Sequence, residues 1–537
     1  MAMAMSRIPY RDTGFFSTLI CDLVEKHPAL DEMVSRHPSI ASFGPQLKEK
    51  GEQFPAAHRS VLTETLEKQY VDLPFSEEVS ANITLLKNKS TFTVTTGHQL
   101  NLFTGPLYFV FKIISTINLC KQLKERYPEN DFVPIYWMAT EDHDFEEISF
   151  FNFHGKKIKW SKESKGAVGR LAIDDLKPLL DLFEDSIGTN TAALQLKEWI
   201  NTSYRSSASL AEATLRLVHQ LFCSRGLVIL DADSPNLKQL FTPYVRTELK
   251  EGQCEKSVLA TIESLQKNYS DQYTPQVNPR EINLFYLTNE VRERIVRTPK
   301  GYETVESKIA FSLTEMEEEI KLHPERFSPN VLMRPLYQEV ILPNLCYIGG
   351  GGEIAYWLQL KDYFSSQQIL FPMLLLRNSA VLVPEKTAKK INKLKLKQRD
   401  LFLKRTPLIN KKIRQISNID LDLQHLKQKL KEQFDELEAL VDETDASFAG
   451  TVAAQKQKQF NGVDALEKRL LKAQKRKLVD HVQRLGELHE TIFPGETLQE
   501  RNNNFFQFYL AHGEDILALL FASLDPLQLE FSWIELP

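Results

Sequence analysis

The stretch from Thr91 to Ala139 limits the possible folds more than any other part of the chain. Thr91–Thr96 (TFTVTT) is short and β-branched, as a buried strand is. It runs into Gly97-His98-Gln99, then a loop through Gly105-Pro106, then an apolar-periodic helix ending near Tyr127. Pro128 and Asn130 close that helix, and Phe132–Ala139 (FVPIYWMA) reads as the next strand. Strand, glycine-bearing loop, helix and strand make a βαβ unit, which predicts a parallel sheet with right-handed crossovers.

Three later segments extend the same sheet: Gly226–Asp231 (GLVILD), Cys346–Ile348 (CYI, running into four glycines) and Ile369–Leu376 (ILFPMLLL). The gaps between them exceed any ordinary crossover, so 155–222 and 235–335 are expected as inserted subdomains. From 386 to 492 the pattern changes. Leu423, Leu426, Leu430, Phe434, Leu437 and Val441 step by three and four; Val463, Leu466, Leu470, Ala473, Leu478, Val482 and Leu485 form a looser second seam. With a reversal at Asp445–Gly450 between them, the spacing predicts an antiparallel helical hairpin. An acidic block on the outgoing helix (Glu432, Asp435, Glu436, Glu438, Asp442, Glu443) matches a basic block on the return (Lys456, Lys458, Lys468, Arg469, Lys472). The expected division is 1–154, 155–222, 223–234, 235–335, 336–385, 386–492 and 493–537, and Leu527–Ile534 near the end alternates like an edge strand.

Composition removes several classes of function. A net charge of −5 over 537 residues argues against a whole-protein grip on nucleic acid or anionic lipid. The basic run 386–414 holds twelve Lys or Arg against Asp400 alone, and too few aromatics for base stacking, so it reads as a solvated helix face. No apolar run approaches a membrane span, and Met1–Arg11 lacks the apolar core of a signal peptide. Five scattered cysteines, none spaced as CxxC, fit reduced thiols and no structural zinc. The cytoplasm is the expected compartment.

Three polar clusters fall at strand ends, where parallel sheets bind ligands. The first is Thr96-Gly97-His98-Gln99 with Asn101, Gly105 and Lys112, a group suited to an anion or an activated acyl group. The second is Glu141-Asp142-His143-Asp144, acids able to hold an ammonium, take its proton or bind Mg²⁺. Glu146 and Glu147, which follow, are explained by a helix N-terminus alone. The third is Gly349–Gly352 with Glu353 and Tyr356. Four glycines lose much backbone entropy on ordering, so a close approach is expected to compensate, by substrate or by helix–strand packing. This loop lacks the GKS/T ending of a phosphate loop. Asp231, ending its strand, and Arg334 and Arg377 are further ligand candidates.

The chain resembles the bacillithiol biosynthesis cysteine-adding enzyme (BshC) family. The motifs are VTTGHQLNLFTGPLYFVFKIIST at 94–116, PIYWMATEDHDFEEI at 134–148, GLVILDADSPNLK at 226–238, FSPNVLMRPLYQEVILPNLCYIGGGGEIAYWLQLK at 327–361, LQER at 498–501 and DPLQLEF at 525–531. The resemblance implies a Rossmann-like α/β core with two inserted connecting subdomains and a C-terminal antiparallel coiled-coil arm supporting a homodimer. It implies an enzyme that joins L-cysteine to the amine of glucosaminyl-malate through an amide bond, with activation by ATP and with Mg²⁺ as a possible companion. That core is similar to nucleotidyl-transferring ligases, although His98 stands alone where those carry paired histidines. The roles this implies are acyl or phosphate stabilisation by Thr96, Gly97, His98, Gln99 and Lys112, and ammonium binding and proton acceptance by Glu141, Asp142, His143 and Asp144. Gly350, Gly351, Gly352, Glu353 and Tyr356 would line the substrate side, with Arg334 or Arg377 on the malate carboxylates. Acyl-adenylate and acyl-phosphate routes both stay open. So do another amine ligase or acyltransferase on this fold, and an adaptor that uses the arm to bind nucleic acid or a protein.

Overall fold

The computed structural model describes residues 5–440 and 446–537. Its centre is a five-stranded, all-parallel sheet of β1 (Thr91–His98), β2 (Asp131–Met138), β3 (Val228–Asp231), β4 (Asn344–Gly349) and β5 (Met373–Leu376), in the order β5-β4-β1-β2-β3. This is the expected parallel α/β core. The strands are buried on both faces, which is why they read as apolar or β-branched runs without alternation. β1 runs two residues further than TFTVTT indicates, so Gly97 and His98 are ladder residues paired with Trp137 and Met138, not loop. Helix α1 (Tyr108–Arg126) crosses from β1 to β2 and buries Phe109, Phe111, Ile113 and Ile114.

Two long excursions interrupt the sheet, after β2 and after β3. The first carries the hairpin Phe150–Phe153/Lys156–Lys159 and several helices. The second contains an antiparallel sheet that the sequence reading missed, built from Leu284–Leu287, Arg292–Thr298, Gly301–Thr304, Ala310–Phe311 and Phe327–Pro329. A further three-stranded sheet joins the two ends of the chain. Phe531–Leu536 lies in its middle, antiparallel to Met5–Ile8 and parallel to Ala380–Pro384. The terminal strand is therefore central to its sheet and not an edge, and it is buried accordingly.

The arm is a helical hairpin of Gln424–Ala439 and Ala446–Lys477. Residues 446–450 already belong to the returning helix; Val441, Asp442, Glu443 and Asp445 lie outside the described residues. Matched charges meet at Lys456, whose Nζ is 3.1 Å from Asp435 and 2.8 Å from Glu438. The seam is only partly as the spacing predicts: Phe434 is buried, but Leu426, Leu437 and Leu466 are exposed and the return buries Gln474 in place of Ala473. The basic run forms amphipathic helices Glu385–Lys393 and Arg405–Ile416, which turn Ile391, Ile409 and Ile413 inward.

Candidate functional site

The chain adds β2 and β3 on one side of β1, then returns to place β4 on the other. Strand order thus reverses between β1 and β4, the position at which open parallel sheets leave a crevice beyond their carboxyl ends. A cavity of about 750 Å³ opens there, within the usual range for small-molecule sites. Gly97 and His98 at the end of β1 with Gln99 beyond it, Glu141–His143 after β2, and Glu353 and Tyr356 after β4 all line it. Segments about 250 residues apart in sequence therefore share one hollow.

At the β1–β4 side the lining is tied together by one buried ion pair. Lys112 Nζ donates to the Gly97 carbonyl at 2.7 Å and lies 2.5 Å from Glu353 Oε2. Glu353 also accepts from the Tyr347 hydroxyl and the Gly350 amide, at 2.7 and 2.8 Å. Burial favours the neutral acid, but Lys112 overrides it and holds Glu353 below the ordinary carboxyl range. His98 packs against Tyr108 and Phe109, and its Nε2 is buried without a hydrogen-bond partner. Burial, helped by the charge of Lys112, lowers its pKa to about 3, so the ring is neutral near pH 7. Arg334, starting helix α2 (Arg334–Ile341), sits between Trp137, Tyr347 and Trp357, 5.5, 5.5 and 5.9 Å from their ring centres. Its Nη1 donates to Gln338, while Nη2 is buried and unpartnered.

Across the cavity stands the acidic segment after β2. Glu141 is buried against Lys238, and burial raises its pKa. Burial pushes Asp142 the same way, but hydrogen bonds from His143 and Gln99 and the charge of Arg292 outweigh it and hold its carboxyl low. His143 Nδ1 accepts from Arg292 Nη1 at 2.7 Å, an arrangement that leaves the ring proton on Nε2. Neighbouring acids thus differ, the pKa of Glu141 being raised by burial and that of Asp142 lowered by its donors. One turn of the first excursion, Val168–Arg170, braces the segment, Val168 N donating to Asp142 O and Gly169 N to Thr140 O. A side chain on Gly169 would collide with Thr140.

Other candidates lie elsewhere. Thr96 is buried and donates to Ile348 O, a contact between strands. Asn101 and Asp144 line a neighbouring hollow of about 460 Å³; Asp144 also caps the turn Phe145–Ile148 through Glu147 N. Gly105, at φ +62, forms the turn that Asn101 packs into, where any side chain would clash. Asp231 accepts from Thr140 and the Asp233 amide behind the cavity; burial raises its pKa to about 6. Arg377 is locked to Glu500 at 2.7 Å and to Asn378 O and Ser379, which engages the two terminal guanidinium nitrogens away from the cavity. Gly350 caps helix α3 (Gly351–Leu358), and Gly351 lies against Ile20. The cavity is lined by the Glu353 and Tyr356 that follow; of the glycines, Gly349 lies close to Tyr347 and Ile354, while Gly352 has open space around it.

Sequence reasoning missed Lys238, Arg280 and Arg292. Lys238 ends the GLVILDADSPNLK motif, but a lysine on a periodic helix normally reads as solvated. Arg280 and Arg292 belong to the second excursion. The charged–apolar pattern Arg292-Glu-Arg294-Ile-Val296 before Pro299-Lys300-Gly301 is a hairpin signal from which that sheet could have been read. Among the described residues no group of three or more His, Cys, Asp or Glu is arranged to hold a metal ion.

Two family models match. "Bacillithiol biosynthesis BshC, N-terminal Rossmann-like domain" covers residues 3–378, and "Bacillithiol biosynthesis BshC, C-terminal coiled-coil domain" covers 380–536. The chain is 51% identical over 533 residues to a protein of Christiangramia forsetii named "Putative cysteine ligase BshC", 98% of each chain being covered. It is 50% identical over 527 residues to the like-named protein of Flavobacterium johnsoniae, covering 98% of this chain and 99% of that one. The like-named protein of Cytophaga hutchinsonii is 35% identical over 525 residues, 98% of each.

Proposed function

This chain belongs to the BshC family of bacillithiol biosynthesis, and from that premise we propose that it is a ligase joining L-cysteine to the amine of glucosaminyl-malate. The observation that carries the reading is the convergence of the three strand-end segments on one cavity with opposed chemistries on its walls. Acids stand on the sheet side; buried donors without partners, Arg334 Nη2 among them, stand ready for an anion.

A carboxylate is too poor an electrophile to take an amine directly. When bound, ATP would supply the phosphoryl or adenylyl group that turns the cysteine carboxylate into an acyl donor. The fit rests on the unpartnered donors of the cavity and on its volume. Asp142, held ionised, attracts the substrate ammonium, and Glu141, whose pKa is raised, accepts the proton that the amine must lose. The nitrogen then attacks the acyl carbon, the C–N bond forms and the phosphate or nucleotide leaves. His98 stays neutral and serves as a hydrogen-bonding partner for the acyl oxygen or leaving group. Lys112, already paired with Glu353, fixes the Gly97 carbonyl and the cavity wall.

The arm is the proposed contact between two copies, and its leucines Leu426, Leu437 and Leu466, 43%, 39% and 59% exposed, would supply apolar surface for it. The cytoplasm completes the reading, in keeping with five free cysteines, and no helix among the described residues is long and apolar enough to cross a membrane. The test is incubation of purified protein with cysteine, glucosaminyl-malate and ATP, with mass detection of the amide. Product that requires all three supports the reading; none from a folded sample contradicts it.

A further inference from the structure

The cavity's cations fall into two groups. Lys112 is neutralised by Glu353. Arg280, Arg292 and Arg334, which also line it, have no carboxylate within ion-pair distance among the described residues. Arg292 donates to His143 Nδ1, Ser328 Oγ and the Pro329 carbonyl. Arg334 donates to Gln338 and interacts with the Tyr356 hydroxyl, both neutral partners. Arg280 uses only its backbone, in exchange with Asn283. Arginine cannot shed its proton, and an unpaired charge drawn out of water, as in Arg292 and Arg334, costs several kcal/mol that an anion would offset; Arg280 adds an exposed third charge to the same lining.

Two of the three are held in place before any ligand arrives. Arg334 is boxed by three aromatic rings, and Arg292 lies 4.1 Å over Phe285. The hairpin bearing Phe285 and Arg292 is pinned at its tip by Arg170 Nη1, 3.1 Å from Asn289 Oδ1, and Arg170 in turn pairs with Asp233. Little side-chain entropy remains to be lost on binding, which favours a forked, two-point contact.

We propose that Arg280, Arg292 and Arg334 form the anion receptor of this cavity, taking the multiply charged end of a bound substrate. Two ligands carry that chemistry, the dicarboxylate of the acceptor and the phosphates of the nucleotide. Naming them rests on the ligase reading; the receptor itself does not. The antiparallel sheet of the second excursion then serves to select substrates, opposite the acids that face the amine.

Binding of L-malate and of ADP, measured by calorimetry and by the fluorescence of Trp137 in the wall, separates the sources. Arg280→Gln is the lead variant, because its exposed side chain has no structural partner; Arg334→Lys, which keeps the charge and loses the fork, is the second. Each is expected to weaken one of the two ligands roughly ten- to a hundredfold, the value of a charge-assisted contact. Loss confined to malate assigns the receptor to the acceptor's carboxylates; loss confined to ADP assigns it to phosphates. Wild-type protein that binds neither, or variants that bind both as wild type does, overturns the proposal. Anion binding by a protein that makes no amide would leave the receptor standing and remove the ligase reading.

Discussion

Replacing Glu353 by Gln should be among the most damaging single changes to this fold, and the damage should be repaired by a second change. The Lys112 side chain is 2% exposed and that of Glu353 28%, so the two ends of the pair are not equivalent. E353Q leaves a desolvated ammonium without its counter-charge, held by neutral acceptors such as the Gly97 carbonyl, at a cost of about 3–5 kcal/mol. K112M leaves a carboxylate that is partly wet and keeps two donors, Tyr347 and Gly350, so about 1–3 kcal/mol is expected. The double variant removes both charges, and its loss should fall short of the sum by about 2 kcal/mol or more. Urea unfolding followed by tryptophan fluorescence reports all four proteins, since Trp357 stacks on Tyr347 beside the pair. The pH dependence gives an independent check. In E353Q the stranded lysine has a folded-state pKa below its unfolded value, so the unfolded state binds more protons between them. Stability of E353Q relative to wild type therefore rises as pH climbs towards about 10. E353Q within about 0.5 kcal/mol of wild type, or strict additivity in the double variant, would refute the reasoning.

Three further outcomes follow from the same geometry. Asp231→Asn keeps both hydrogen bonds to Oδ1 and removes a carboxyl whose pKa burial raises to about 6. The native state then binds the extra proton between about pH 4 and 6, so wild-type stability falls across that window as pH rises. The variant should gain on it by up to about 3 kcal/mol by pH 7, as read from thermal midpoints. Glu500→Gln strands the buried Arg377 and should destabilise by about 3–5 kcal/mol, whereas KM for the acceptor in the surviving folded protein stays within twofold. A selective rise in KM would return Arg377 to the substrate site. Leu437→Glu, on the exposed face of the arm, should shift sedimentation towards single copies without lowering the melting temperature of the core; unchanged sedimentation contradicts the paired arm.

Much of the central sheet was legible because its strands are buried on both faces. TFTVTT and FVPIYWMA can be little else, and the connecting helix carries its period openly. The place of the candidate site followed from the same logic, since His98 ends its strand and Glu141 and Glu353 lie beyond theirs. Their individual partnerships did not. Whether a charged residue at such a position faces a ligand or an opposite charge depends on what returns from far along the chain. Arg377 finds Glu500, Glu141 finds Lys238, and His143 finds Arg292. The tetraglycine bend pointed to a close approach, and the neighbours it approaches are Ile20, Tyr347 and its own helix. The antiparallel sheet of residues 284–329 was lost because four of its strands are only two to four residues long, and in the longest, Arg292–Thr298, partly buried arginine and glutamate dilute the alternation. In the arm, spacing alone did not separate the leucines that meet the partner helix from those left outside, because an apolar stripe wider than one seam fits either arrangement.

The most direct test of the cavity as the seat of ligation is single-turnover formation of the cysteinyl amide by His98→Ala and by Asp142→Ala, each confirmed folded by its near-ultraviolet dichroism. Loss of about 10²–10⁴ in each is the predicted result. Rates within about threefold of wild type in both would contradict it and move the chemistry to another part of the molecule.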